Sequence, residues 1–339
     1  MNNLKALLDN KKYKVIKNVS ASSNAFTFLC KNKKNNIYFY RKYSTDEEVI
    51  NKLKQQLNWI NENKNKLPLP EIINSNYDHK IYWYDMKANI SCLNLYQLIT
   101  KKKYKFSTKI FYSVLNKIKD FHKIEKKSIN LNLIQDYIKI KVIKNINQIL
   151  CNKYINELQK FSELVINGRV YKNLNYYFDI LSINNLSDIF KNDIQTRIHG
   201  DLTLENIIYD KKTKDNFYFI DPNPENIFST MFMDYAKLLQ SLHGQYEHLQ
   251  KIKNVKINEN KINFKNKINK NILCIYRLYD NYLKYYFSNN EYKSIYYHEI
   301  VHWLRLLPYK IKKNSKLAVI FYCQTIILLS ELKDKFNNK

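Results

Sequence analysis

The hydrophobic pattern of this chain changes period once, near residue 88, and that change restricts the fold more than any other feature. Before it, apolar residues recur in short stretches, Tyr13 to Val19, Phe26 to Cys30 and Ile37 to Lys42, separated by the polar loop Ser20-Ala21-Ser22-Ser23-Asn24 and the turn Lys31 to Asn36. Apolar or alternating runs bounded by turn residues predict antiparallel strands. One helix is expected among them, from Asp46 to Glu62: Val49, Leu53, Leu57 and Ile60 fall at helical spacing behind the cap candidates Ser44 and Thr45, and Pro68-Leu69-Pro70 follows. Two more strands are expected near Ile72 and at Ile81 to Asp85, across the turn Asn76-Tyr77-Asp78-His79. After Met86 the spacing turns helical, with Ile110, Phe111, Val114, Leu115, Ile118 and Phe121 on one face behind Ser107 and Thr108. Helices are also expected around Tyr235 to Leu242, Ile272 to Tyr286, Ile295 to Leu307 and Lys316 to Phe336. The class is α+β, with a strand-rich segment over 1–88 and a helical one over 89–339.

Composition removes several alternatives. Apolar residues make up 45% and aromatic residues 14% of the 339, which excludes a disordered or collagen-like chain. The five cysteines are widely spaced and never form a CxxC pair, so neither a zinc site nor a disulfide framework is indicated, and a cytoplasmic location is expected. The amino terminus lacks the apolar run of a secretory signal. The longest apolar run, Leu317 to Leu329, is broken by Gln324 and Thr325 and is expected to be a buried helix, not a transmembrane segment. A net charge of +27 would attract polyanions, yet Lys, Asn, Ile and Tyr are all heavily used, as an AT-rich coding sequence would produce. Nucleic acid is therefore not the expected partner. The Lys/Asn-rich stretch 251–270 reads as an exposed connection with a solvated charged face.

One short hairpin interrupts the helices: Ile207-Ile208-Tyr209, a polar turn from Asp210 to Asn216, then Phe217-Tyr218-Phe219-Ile220. Arg197-Ile198-His199-Gly200-Asp201-Leu202-Thr203-Leu204-Glu205-Asn206 leads into it, and Asp221-Pro222 leads out. Folding the hairpin is expected to bring Asp201, Asn206 and Asp221 to one end, where hard oxygen ligands suit Mg²⁺ bound jointly by protein and substrate phosphates. Gly200 is one of only three glycines, which points to a backbone angle or close approach that a side chain would forbid.

This string closely resembles the HGDxxxxN and IDP signature of the aminoglycoside phosphotransferase and choline kinase family, relatives of protein kinases. The resemblance extends over residues 12 to 250, including Phe121-His122 at a helix end and Asp234-Tyr235-Ala236-Lys237 downstream. It implies a bilobal protein-kinase-like fold, with a small antiparallel-sheet N-lobe over 1–88 and a large, mostly helical C-lobe over 89–339. It implies Asp201 as catalytic base, Asn206 and Asp221 as ligands of Mg²⁺ on ATP, and His199 and Asp234 as supports of the catalytic loop. Strand alternation lets only one of Arg41 and Lys42 face the nucleotide, and Lys42 is favoured. The loop carrying Ser22, Ser23 and Asn24 is expected over the phosphates, although it lacks the family's glycines. Tyr84, Asp85 and Met86 are expected as a hinge offering backbone groups to the purine, with GTP left open beside ATP. Where the family places a glutamate paired to the strand lysine, Gln55 falls near the site, and Glu48 is the alternative. His122 is expected to be a packed helix-end residue.

The expected acceptor is a small-molecule hydroxyl compound. Cationic acceptors need clustered carboxylates or aromatic cages, and acids are sparse in the C-terminal helices, so a sugar, polyol or glycan precursor is favoured. His243, Tyr246 and Glu247 are substrate-site candidates. A choline, ethanolamine or aminoglycoside kinase is the alternative enzyme, with a cage of Trp303, Tyr296 and Tyr297 for a choline-like cation; a protein-serine kinase is a further one. A non-catalytic nucleotide-binding protein and a nucleic-acid-binding protein are the other classes. The oligomeric state is not indicated.

Overall fold

The computed structural model describes residues 12–19, 25–78 and 80–337. They form two compact units. One takes in the chain through Leu98 with Lys105–Phe121 and Glu205–Glu225, and the other takes in Ile99–Tyr104, His122–Leu204 and the chain from Asn226 onward.

The first unit is built on β1 (Tyr13–Asn18), β2 (Phe26–Asn32), β3 (Tyr38–Ser44), β4 (Ile72–Asp78) and β5 (Ile81–Lys87), paired in the order β1-β2-β3-β5-β4. All four pairings are antiparallel. Helix α1 (Glu47–Asn63) buries Ile50, Leu53 and Leu57 against Tyr82, Tyr84 and Met86. On the opposite sheet face Tyr43, Ile81 and Trp83 cluster with Val15 and Phe28. Side chains alternate along a strand, so even positions of β3 share a face with Tyr40 and odd ones with Tyr43. The α1 cap is Asp46, whose carboxylate accepts from Val49 N at 3.0 Å, and not Ser44 or Thr45; Ser44 instead accepts from Asp46 N at 3.1 Å. Helix α2 (Tyr104–His122) begins before Ser107 and Thr108, and Ser107 is buried inside it with its hydroxyl on Leu98 O at 3.2 Å. The hairpin is β6 (Ile207–Tyr209) with β7 (Phe217–Phe219), widened to three strands by Leu93–Asn94.

In the second unit the long helices are α3 (Met231–Leu242), α4 (Lys270–Tyr286), α5 (Asn289–Lys313) and α6 (Ser315–Asn337). Helix α5 starts in a capping box between Ser288 and Glu291 and packs on both α3 and α6. It is buried all round from Ser294 to Leu304; Trp303, Tyr296 and Tyr297 are core residues at 0%, 2% and 2% exposure and make no open cage. Among the described residues one helical stretch, Ser315–Phe336, is long and apolar enough to cross a membrane, and 67% of its most apolar window is buried within the protein. The stretch 251–270 is more than an exposed connection. Lys256–Asn258 and Lys261–Asn263 form a hairpin that extends a sheet with Glu163–Ile166 and Arg169–Lys172, and Ile262 is fully buried. Its apolar residues stand two apart on each arm, Val255 with Ile257 and Ile262 with Phe264, and pairing with a distant strand supplies the rest.

Candidate active site

In the first unit, β3 sends its two basic residues to opposite faces. Lys42 lies on the α1 face, with Nζ 2.7 Å from Asp221 Oδ1 and 3.0 Å from Gln56 Oε1. Arg41 lies on the other, gripping Asp85 through Nε and Nη2, both at 2.8 Å, with its guanidinium 4.0 Å from the Trp83 ring. Arg41 is therefore a structural residue and is corrected as a phosphate ligand: its donors are committed to a buried carboxylate. The partner of Lys42 on α1 is Gln56, one residue past the expected Gln55, which is exposed, as is Glu48. Gln56 also accepts from Tyr84 OH at 2.9 Å and donates to Pro222 O at 2.6 Å. A neutral amide thus ties lysine, strand and Asp-Pro turn together without neutralising the lysine.

Asp221 follows β7 in the left-handed region at φ 58°, a conformation Asp tolerates better than most residues. Just before it, Ile220 N donates to Asn206 O at 2.9 Å, which brings the Asn206 and Asp221 segments together at the end of the hairpin. An Asp and an Asn offering hard oxygens fit Mg²⁺, which commonly takes one or two protein ligands. Among the described residues no group of three His, Cys, Asp or Glu side chains is arranged to hold a metal ion.

Tyr84, Asp85 and Met86 lie within β5, between β3 and β4. Their backbone groups face neighbouring strands, the Tyr84 hydroxyl is on Gln56 and the Asp85 carboxylate is on Arg41, so this stretch is corrected as a purine-facing hinge. Just past the strand, Ala88 N donates to Tyr38 O at 3.0 Å. Ser22, Ser23 and Asn24 lie outside the described residues.

In the second unit Asp234, on the first turn of α3, is fully buried. Its two oxygens accept from His199 N and Gly200 N, both at 2.8 Å, and from the His122 ring at 3.0 Å. Gly200 has φ +80°, where a side chain would be strained. His199 accepts from Asp201 N through Nδ1 at 3.3 Å, bracing the turn. Asp201 then presents Oδ1 to Lys237 Nζ at 3.1 Å, with 39% of its side chain exposed. Burial alone would raise this carboxyl, but Lys237, His199 and Arg305 outweigh it and hold it below the ordinary carboxylate value. Lys237 itself is pulled down by burial against the opposing pull of Asp201. The sequence reading passed over Lys237; its place one helical turn after Asp234 was the available signal.

The three substrate candidates have different surroundings. His243 sits between Glu299 at 2.8 Å and Glu331 at 2.9 Å and stacks on Tyr276, at one wall of a cavity of about 470 Å³. Glu247 is buried and accepts from Ser241 at 2.7 Å, and Ser241 accepts in turn from Leu204 N at 3.0 Å. Tyr246 packs under Lys310. Tyr246 and Glu247 are not among the residues that line that cavity, and through Ser241 Glu247 is tied to the loop that follows Asp201.

No family model and no curated protein matches the chain by sequence. Solved structures do. A protein assigned as a fructosamine-3-kinase of Haemophilus somnus 129PT superposes with a TM-score of 0.55 at 12% identity, covering 95% of this chain and 91% of its own. APH(2")-IIa, solved in complex with gentamicin, superposes with a TM-score of 0.56 at 14% identity, covering 96% and 94%. The fold is that of the kinase-like phosphotransferases. In this chain the strand lysine, the HGD turn and the Asp-Pro turn all belong to the described residues, and the residue beside the lysine is a glutamine, Gln56.

Proposed function

We propose that this protein is an ATP-dependent phosphotransferase that moves the γ-phosphoryl group to a hydroxyl of a small molecule such as a sugar, polyol or glycan precursor. The observation that carries the reading is the 2.7 Å pair of Lys42 with Asp221 at the hairpin that also bears Asn206. Such a pair places a cation for the α/β-phosphates next to the carboxylate that holds the metal. Asn206 and Asp221 would hold Mg²⁺, which supplies charge neutralisation on the phosphates. Gln56, being neutral, adds no second negative charge beside Lys42, and the segment after Ala88 would offer backbone groups to the purine.

Asp201 orients the acceptor hydroxyl. The acceptor oxygen bonds to the γ-phosphorus as the bond to the ADP oxygen breaks, and the hydroxyl proton passes to Asp201 Oδ and then to water. The transfer is loose, so positioning matters more than basicity, and a carboxyl kept ionised is sufficient. The test is Mg²⁺·ATP-dependent phosphorylation across sugars, amino alcohols, aminoglycosides and cell metabolite extract, with Asp201→Asn as control. Transfer that needs Asp201 supports the reading; nucleotide binding without transfer to anything favours a non-catalytic kinase-like protein.

A further inference from the structure

Asp201 is bordered by cations that phosphoryl transfer to a neutral alcohol does not require. Lys237 contacts it at 3.1 Å and is steadied by Gln240 Oε1 at 2.9 Å, one turn along the same helix. Arg305 lies about one turn past His302 on α5, and Lys237 about one turn past Met233 on α3, the residue that His302 bonds, in keeping with the influence of Arg305 on both Asp201 and Lys237. Its Nη1 is shut off from solvent and has no hydrogen-bond partner among the described residues. Helix α5 is fixed to α3 here, because His302 donates through Nε2 to Met233 O at 3.0 Å. Burial, reinforced by Lys237 and Arg305, keeps that histidine far below its ordinary value and therefore neutral. Of the nearby acids, Asp234 is taken up by the amides of the HGD turn and Asp201 by Lys237.

A buried guanidinium N–H without an acceptor is an exception that calls for a partner. A guanidinium beside an ammonium is suited to phosphate or carboxylate, which can take paired N–H donors. We infer that Lys237 and Arg305 form an anion subsite next to Asp201, and that the acceptor carries a phosphate or carboxylate that binds there. The inference rests on the reading of Asp201 as the acceptor-side base, and it deepens that reading by naming the charge of the substrate. A polycationic acceptor meets two positive groups beside Asp201. An anionic acceptor satisfies Arg305, draws Lys237 partly off Asp201 and frees that carboxylate to take the hydroxyl.

Two measurements separate this inference from the function beneath it. The first is binding of inorganic phosphate, read as a thermal shift, to the wild type, Arg305→Gln and Arg305→Lys. The shift is expected in the wild type, in part in Arg305→Lys and not in Arg305→Gln; equal shifts in all three overturn the subsite whether or not ATP is a substrate. The second is transfer from Mg²⁺·ATP to glucose 6-phosphate, gluconate, glucose and glucosamine. An anionic acceptor is expected to lead, and Arg305→Gln is expected to lower its kcat/KM relative to glucose on the order of 10- to 100-fold, mostly through KM. Glucose 6-phosphate and gluconate distinguish a phosphate from a carboxylate as the group held. Preferred transfer to glucosamine or glucose, unaltered by Arg305→Gln, overturns the subsite and leaves the phosphotransferase standing. Failure of Mg²⁺·ATP to bind overturns the phosphotransferase, and the phosphate shift then decides the subsite alone.

Discussion

On one face of β3 Arg41 grips Asp85 with both side chains nearly sealed, at 2% and 4% exposure; on the other Lys42 holds an Asp221 that keeps 37% of its side chain exposed. The residues are adjacent in sequence and similar in charge, and burial of the partner separates their roles. A sealed bidentate pair has no free acceptor sites to offer and serves to lock β3 to β5. A pair with one open carboxylate can still bind a metal or give up its lysine to a phosphate. Lys237 and Asp201 in the second unit are of the open type, at 15% and 39% exposure.

The largest effect expected from this contrast is on turnover. Asp201→Asn should lower kcat about 10²- to 10⁴-fold, roughly 3–5 kcal/mol, while nucleotide still binds by calorimetry; a rate near wild type would remove Asp201 from the chemistry. Because Lys237 helps hold Asp201 low, the acidic limb of kcat/KM should fall below the ordinary carboxylate range and move up in Lys237→Met. Next comes stability. Asp85→Ala strands a buried guanidinium and should cost about 3–5 kcal/mol in urea unfolding, whereas Lys42→Met should abolish transfer and change stability by about 1 kcal/mol or less. A severe loss of stability in Lys42→Met would erase the distinction between the two faces.

A smaller effect concerns pH. Burial would lower the His243 ring, but Glu299 and Glu331 override it and raise the value from 6.5 to about 10. A raised folded value means that the stabilisation is complete below pH 6.5 and fades as pH climbs toward about 10. Unfolding midpoints measured across that window should fall in the wild type and flatten in His243→Gln. The smallest effect separates neighbours on α1: exposed Gln55→Ala should alter stability by no more than about 0.5 kcal/mol, while Gln56→Ala should lower affinity for Mg²⁺·ATP by releasing Lys42 and the Asp-Pro turn. Equal behaviour of the two variants in a nucleotide titration would show that the Gln56 bonds do nothing for the site.

Much of the architecture could be read from local pattern. The strands of the first unit, α1 and the β6–β7 hairpin each carry their period within a few residues, so their positions agree with expectation to within a few residues at each end. Cap chemistry was harder, because Ser44, Thr45 and Asp46 can all cap and only the direction of the chain leaving β3 selects Asp46. The hairpin in 251–270 was masked by its many Lys and Asn residues, and its docking on a strand about a hundred residues earlier could not be read locally. Within the site, alternation predicted one inward cation on β3, while the choice of Gln56 over Gln55 depended on the rotation of α1 against the sheet.

The sequence by itself determined the local geometry: where strands and helices run, which residue of β3 opposes which, and that a glycine precedes Asp201. Those properties follow from side-chain periodicity and backbone angle, which act over a few residues. Only the tertiary structure decided that Arg41 is sealed by Asp85, that Gln56 stands beside Lys42, and that Lys237 meets Asp201. Burial and charge pairing depend on distances between segments far apart in the chain, and no local pattern encodes them.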